Sequence, residues 1–147
     1  MNSTQIQSVL AENFIRNGEA VLVIEHERQN IYHYDFLFED IEPFELISTT
    51  DSCDLLKLYL GNRVKLLMVA FNAFPIEGCY IIQLFRVLRK KTPVVVLFDE
   101  YDNWRAEAEQ AEEFGFSAGL LNPITTEKWH RLCDHLARDN SKFVVIE

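Results

Sequence analysis

An α/β domain built on a parallel sheet, with helices on both faces, is the fold class this sequence predicts. Two observations carry that expectation. Strand-like stretches of five to eight residues, "AVLVI" (20–24), "VKLLMVAF" (64–71, apolar but for Lys65) and "PVVVLF" (93–98), show no alternation of polar and apolar residues, as befits strands covered on both sides. Between them lie longer segments with helical spacing, so strand and helix alternate along the chain from residue 20 onward.

The elements follow in order. Residues 3–16 place Ile6, Val9, Leu10 and Phe14 on one stripe, an amphipathic helix opening near Ser3 and stopped by Asn17-Gly18. The strand 20–24 leads to a helix over 27–40, ended by Pro43, and to a short strand over 44–48. Residues 51–61 begin with capping side chains and end in Gly61-Asn62, the marks of another helix. The strand 64–71 is followed by a helix over 77–91 with Ile81, Ile82, Phe85 and Leu88 inward. Pro93 is tolerable only as the first residue of the strand 93–98. An Ala/Glu-rich helix spans 102–115, and a short strand, 117–122, stops at Pro123. In 125–139, Trp129, Leu132, Cys133 and Leu136 fall at i, i+3, i+4 and i+7, one clean helical face. The last apolar stretch, 142–146, reads as a tail, a linker or a sixth strand. The expected organisation is an N-terminal helix over 1–18, one domain over 19–140 and a C-terminal tail or linker over 141–147.

Composition narrows the function. The 147 residues include eleven Phe and five Tyr, enough bulk for a core without disulfides or metal. Fourteen basic residues against 23 acidic ones leave a net charge of −9, so neither a nucleic-acid backbone nor an anionic membrane is expected as partner. The basic run "RVLRKK" (86–91) reads as the solvated end of a helix. Cys53, Cys79 and Cys133 are widely spaced and form no CxxC or Cys/His pair, which gives zinc and thioredoxin-like readings no support. The N-terminus lacks the basic and apolar regions of a secretion signal, and no apolar run is long enough to span a bilayer. A cytoplasmic protein with reduced thiols is expected.

In a parallel α/β sheet the site lies beyond the carboxyl ends of the strands. The residues there are Glu25-His26, Phe71-Asn72, Phe98-Asp99 and Asn122-Pro123. Four stretches around them, "LVIEHE" (22–27), "LLMVAFNAFPIEG" (66–78), "TPVVVLFDE" (92–100) and "GFSAGLLNPI" (115–124), occur in the order and spacing of a bacterial response-regulator receiver domain. Over roughly residues 20–138 the chain resembles that family. The resemblance implies a flavodoxin-like, five-stranded parallel sheet in the order 2-1-3-4-5, here with an extra N-terminal helix, and a cis peptide at Asn122-Pro123.

The resemblance fails where the family does its chemistry. Counting back four from Pro75, the phosphoacceptor aspartate of the family is replaced by Phe71. Phe98 stands in place of the hydroxyl residue that steadies the phosphoryl group, and Asn122 in place of the lysine. Of the acidic pair that holds Mg²⁺ in the family, Glu25 survives beside His26. A phenyl ring has no lone pair with which to attack a phosphoryl donor. The resemblance therefore implies a degenerate, or pseudo-receiver, pocket formed by Glu25, His26, Phe71, Phe98, Asp99, Asn122 and Pro123. No catalytic residue, no metal and no cofactor are expected. A cation held by Glu25, Asp99 and Glu100 is disfavoured by Phe71, and His26 has no nucleophile to serve as base.

What remains is a surface. The expected function is a phosphorylation-independent signalling domain that binds proteins, with a homodimer as the default. Interface candidates are Ile6, Val9, Leu10 and Phe14 of the N-terminal stripe, and Trp104. Trp104 belongs to the surface of helix 102–115, strand 117–121 and helix 125–139 that receivers use for pairing. Trp129, on an inward stripe, reads as core. The alternative is a small-ligand or nucleotide sensor using the strand-end crevice. The acidic "EHERQN" (25–30) after the first strand speaks against phosphate binding there.

Overall fold

Residues 14–39, 44–138 and 142–147 are described in the computed structural model of the chain. Strands β1 (Ala20–Ile24), β2 (Glu45–Thr49), β3 (Val64–Ala70), β4 (Val94–Asp99), β5 (Ala118–Asn122) and β6 (Val145–Ile146) form one sheet in the order β2-β1-β3-β4-β5-β6. Every neighbouring pair is parallel. The connections carry α1 (Arg28–Phe38), α2 (Leu55–Leu60, entered through a 3-10 turn at Ser52–Asp54), α3 (Gly78–Val87), α4 (Trp104–Phe114) and α5 (Thr126–Ala137).

The central strands are apolar on both sides because both sides are covered. Val21, Val23, Leu66, Met68, Val95, Leu97 and Leu120 face one layer, where Tyr34 and Phe38 of α1 and Trp129, Leu132 and Cys133 of α5 pack on them. Leu22, Ile24, Leu67, Val69, Val94, Val96 and Phe98 face the other, against Leu55, Ile81, Ile82, Phe85 and Ala111 from α2, α3 and α4. Residues adjacent in a strand point to opposite layers, as the pleat requires. Trp129 is a core residue, packed edge-on against Phe38 at 4.7 Å between ring centroids.

Two expectations change. The sheet has six strands rather than five, because residues after α5 return to β5. Gly119 N donates to Val144 O at 2.8 Å, and Val145 and Ile146 pair with Gly119 and Leu120. The N-terminal helix expected over 3–16, with Ile6, Val9 and Leu10, lies outside the described residues except at its end. There Phe14 and Ile15 form a bend, not a helix; Ile15 is buried in the layer of α1 and α5, and Phe14 packs against the same layer.

Candidate functional site at the carboxyl end of the sheet

Strand parity divides the residues singled out from the sequence. Glu25, Asp99 and Asn122 follow, by steps of two, residues that face α1 and α5. Phe71 and Phe98 belong to the opposite layer. The strand ends therefore carry two separate arrangements, back to back across the sheet.

On the α1 side lies a polar chain. Glu25 is 1% exposed. Its Oε1 accepts hydrogen bonds from the backbone N–H of His26 at 2.8 Å and of Glu27 at 3.3 Å. The Tyr34 hydroxyl, brought in by α1, lies 2.6 Å from Glu25 Oε2 and 3.0 Å from Asn122 Oδ1. Asn30, one turn earlier on the same helix, donates to Asp99 Oδ1 at 3.2 Å. Burial pushes the Glu25 carboxyl above its usual range, against the pull of Tyr34 and the two N–H groups, and the nearby Asp99 charge adds to the rise. Burial also raises Tyr34 well above the ordinary phenol value, reinforced by Glu25. Asp99 is raised by burial and by Asp102, opposed by bonds from Asn30 and Asn122.

On the other side Phe98 is fully buried and Phe71 half-buried, their ring centroids 6.1 Å apart at a tilt of 36°. The Phe98 ring lies over Gly119 of the neighbouring strand. A Cβ on Gly119 would stand 2.7 Å from Phe98 Cε2, closer than atoms can approach without movement. His26 is exposed, with its Nε2 3.7 Å from Glu27 Oε1. Pro123 is exposed too, after a cis peptide from Asn122; Phe74-Pro75 is also cis.

Between these arrangements opens a cavity of about 230 Å³, walled by Glu25, Glu27, Asp99, Asp102, Glu107 and Phe98. Glu107 is raised by burial and by Asp102. A crevice of about 460 Å³ runs on past Asn30, Tyr101 and Pro123. The whole mouth is acidic and repels a phosphate. The dication of receiver domains does not fit here: both oxygens of Glu25 are engaged by Tyr34 and by backbone N–H groups, and Phe71 offers no oxygen. Among the described residues no three His, Cys, Asp or Glu side chains converge as a metal site requires.

Sequence reasoning missed Tyr34 and Asn30. Asn30, Tyr34 and Phe38 are spaced by four, one face of α1. A polar residue and a phenol on the stripe that buries Phe38 were the available signal.

The proposed interaction face is altered as well. β6 pairs with Gly119 and Leu120 on the outer edge of β5, and residues 118–122 are all buried. Trp104 is half-buried against its own core, with the Arg105 guanidinium 4.6 Å from the centre of its ring. Large apolar side chains are exposed elsewhere: Tyr32 and Phe36 on α1 at 61% and 76%, and Leu60, Phe74, Tyr80 and Val87 around α2 and α3.

No protein-family model matches the sequence, and neither does any curated protein. Solved structures do match. A response-regulator receiver domain protein from Clostridium thermocellum aligns at 20% identity and a TM-score of 0.67, over 82% of this chain and 94% of that one. The N-terminal signal receiver domain of a two-component response regulator from Bacteroides fragilis gives 14% and 0.65, over 84% and 97%. The receiver domain of a Saccharomyces cerevisiae response regulator, crystallised with its histidine phosphotransfer protein, gives 11% and 0.63, over 80% and 92%. At these identities the likeness establishes the fold alone, and that fold is the receiver fold.

Proposed function

We propose that this chain is a non-enzymatic regulatory domain of two-component type that acts by contact with protein partners and accepts no phosphoryl group. The observation that carries the reading is Phe71 at the end of β3, paired with Phe98 at the end of β4, where a receiver needs a carboxylate and a hydroxyl. Asn122, tied to Tyr34, adds no cation to the site. A domain with the receiver fold and without its chemistry has its surface left to act with, and its association is constitutive. A cytoplasmic location belongs to the same reading.

Incubation with acetyl phosphate and Mg²⁺, or with beryllofluoride, is expected to leave the intact mass and the amide spectrum unchanged. A stoichiometric acid-labile phosphoryl adduct on Asp99 or Glu25 would overturn the proposal. The partner is a protein, with an isologous homodimer as the default assembly. Tyr32 and Phe36 lie at i and i+4 on the outward face of α1, which makes that helix the first surface to test. Sedimentation at micromolar concentration should show association that Tyr32→Lys with Phe36→Lys abolishes. A monomer in both cases, with no change in binding to any native partner, would remove the interaction reading. The nucleotide-sensor alternative meets a crevice lined by carboxylates; protein purified with bound nucleotide would favour it.

A further inference from the structure

We propose that the cleft at the amino ends of β4 and β5 binds a small polyanion, a phosphate ester or pyrophosphate-like group. The cleft encloses about 400 Å³ and is rimmed by Arg86, Lys90, Lys91, Thr92, Gly115 and Ser117. It lies at the opposite end of the sheet from the acidic crevice and does not depend on it. None of the described residues lining it is acidic, in a chain whose carboxylates outnumber its cations 23 to 14.

Three features hold the cations in place. Gly115 ends α4 with φ of 84°, and the Arg86 guanidinium lies flush on it: a Cβ there would fall 1.3 Å from Arg86 Nη2. Gly115 is thus required twice, by its backbone and by its neighbour. At the end of α3, Arg89 takes φ of 55°, a left-handed position that glycine ordinarily fills. Bonds from Arg89 N to Arg86 O at 3.0 Å and from Lys90 N to Phe85 O at 2.9 Å close this turn and send Lys90 and Lys91 back over the cleft. Tyr59 then seats two rim groups. Its ring lies under Lys90 Nζ at 5.5 Å, and its hydroxyl is 2.6 Å from Thr92 Oγ1.

Cations near a helix C-terminus are commonplace, because they complement the helix dipole. That explains charge at the end of α3 but not a guanidinium laid across the loop after α4. Among the described residues the side chains of Arg86 and Lys91 have no ion-pair or hydrogen-bond partner, so their donors remain available. A planar guanidinium with ammonium groups beside it suits clustered phosphoryl oxygens. The size of the cleft admits a small molecule, and the net charge of −9 disfavours the long backbone of a nucleic-acid duplex.

Pyrophosphate titrated into the full-length chain at physiological salt, followed by amide NMR, tests this. Saturable shifts are expected at residues 86, 90–92 and 115–117, with none at Glu25, Asp99 or Asn122. Arg86→Gln should weaken binding at least about tenfold, the scale of one hydrogen bond to a charged group. Lys57→Gln, an exposed cation on α2, should leave it unchanged. Shifts that do not saturate, that spread equally to Arg16 and Arg63, or that survive Arg86→Gln would overturn the site. So would tighter binding of polyglutamate than of pyrophosphate, which would make the patch a docking surface for acidic protein.

Discussion

Replacing Phe98 with alanine is expected to lower stability by about 3–5 kcal/mol, the range for emptying a buried aromatic site. The ring is 1% exposed, lies between Phe71 and Gly119, and belongs to the core layer under α2, α3 and α4. Gly119→Ala should destabilise by about 1–3 kcal/mol through overpacking. Its Cβ would meet Phe98 Cε2 at 2.7 Å and Val145 Cγ2 at 3.2 Å. The two positions are in contact, so their effects should not add. In a Phe98→Leu background, Gly119→Ala should cost measurably less. Urea denaturation of the four proteins decides it. An equal cost of Gly119→Ala in both backgrounds would mean that the ring is not the obstacle.

Tyr34→Phe should cost about 1–3 kcal/mol, because it removes the one hydroxyl that bridges the buried Glu25 carboxyl and Asn122 Oδ1. A phenol has one hydrogen, and it faces two oxygens. The chain is satisfied when Glu25 is protonated: its O–H donates to Tyr34, and Tyr34 donates to Asn122. Glu25→Gln supplies that donor permanently, since Nε2 can donate to Tyr34 while Oε1 keeps the two backbone bonds. This variant is expected to be more stable than the parent at neutral pH, by on the order of 1 kcal/mol.

The pH dependence has a definite sign. A carboxyl raised on folding stabilises the fold fully below its ordinary value of 4.5, and that contribution is lost as pH rises through the raised one. The parent should therefore lose stability as pH climbs above the ordinary carboxyl range. Glu25→Gln should flatten part of the slope, while Asp99 and Glu107, raised in the same direction, keep the rest. Urea midpoints from about pH 5 to about pH 8 measure it. A Glu25→Gln protein less stable than the parent at neutral pH would show that Glu25 is held as a carboxylate.

Much of this was legible in the chain. The unalternated runs at 20–24, 64–70 and 94–98 read as doubly covered strands because burial on both faces leaves no polar positions. Counting back from Pro75 placed Phe71 at a strand end, and the apolar run 93–98 placed Phe98 there; Phe71 directly follows β3, and Phe98 is the penultimate residue of β4. The sixth strand was open to reading as a tail, because two residues carry no period of their own. Their pairing depends on Gly119, some 25 residues earlier in the chain.

What the sequence determined by itself was local: the periods, the caps, and the absence of an oxygen at positions 71 and 98. Which strand-end residues meet was decided by the tertiary structure. Parity sends Glu25, Asp99 and Asn122 to the α1 side, but α1 had to dock before Tyr34 and Asn30 could join them. In the same way Arg86 and Gly115 lie far apart along the chain until parallel crossovers bring the end of α3 against the end of α4. Periodicity is a property of a few consecutive residues. A hydrogen bond or a packed guanidinium between distant segments is a property of the sheet order, and no local pattern encodes it.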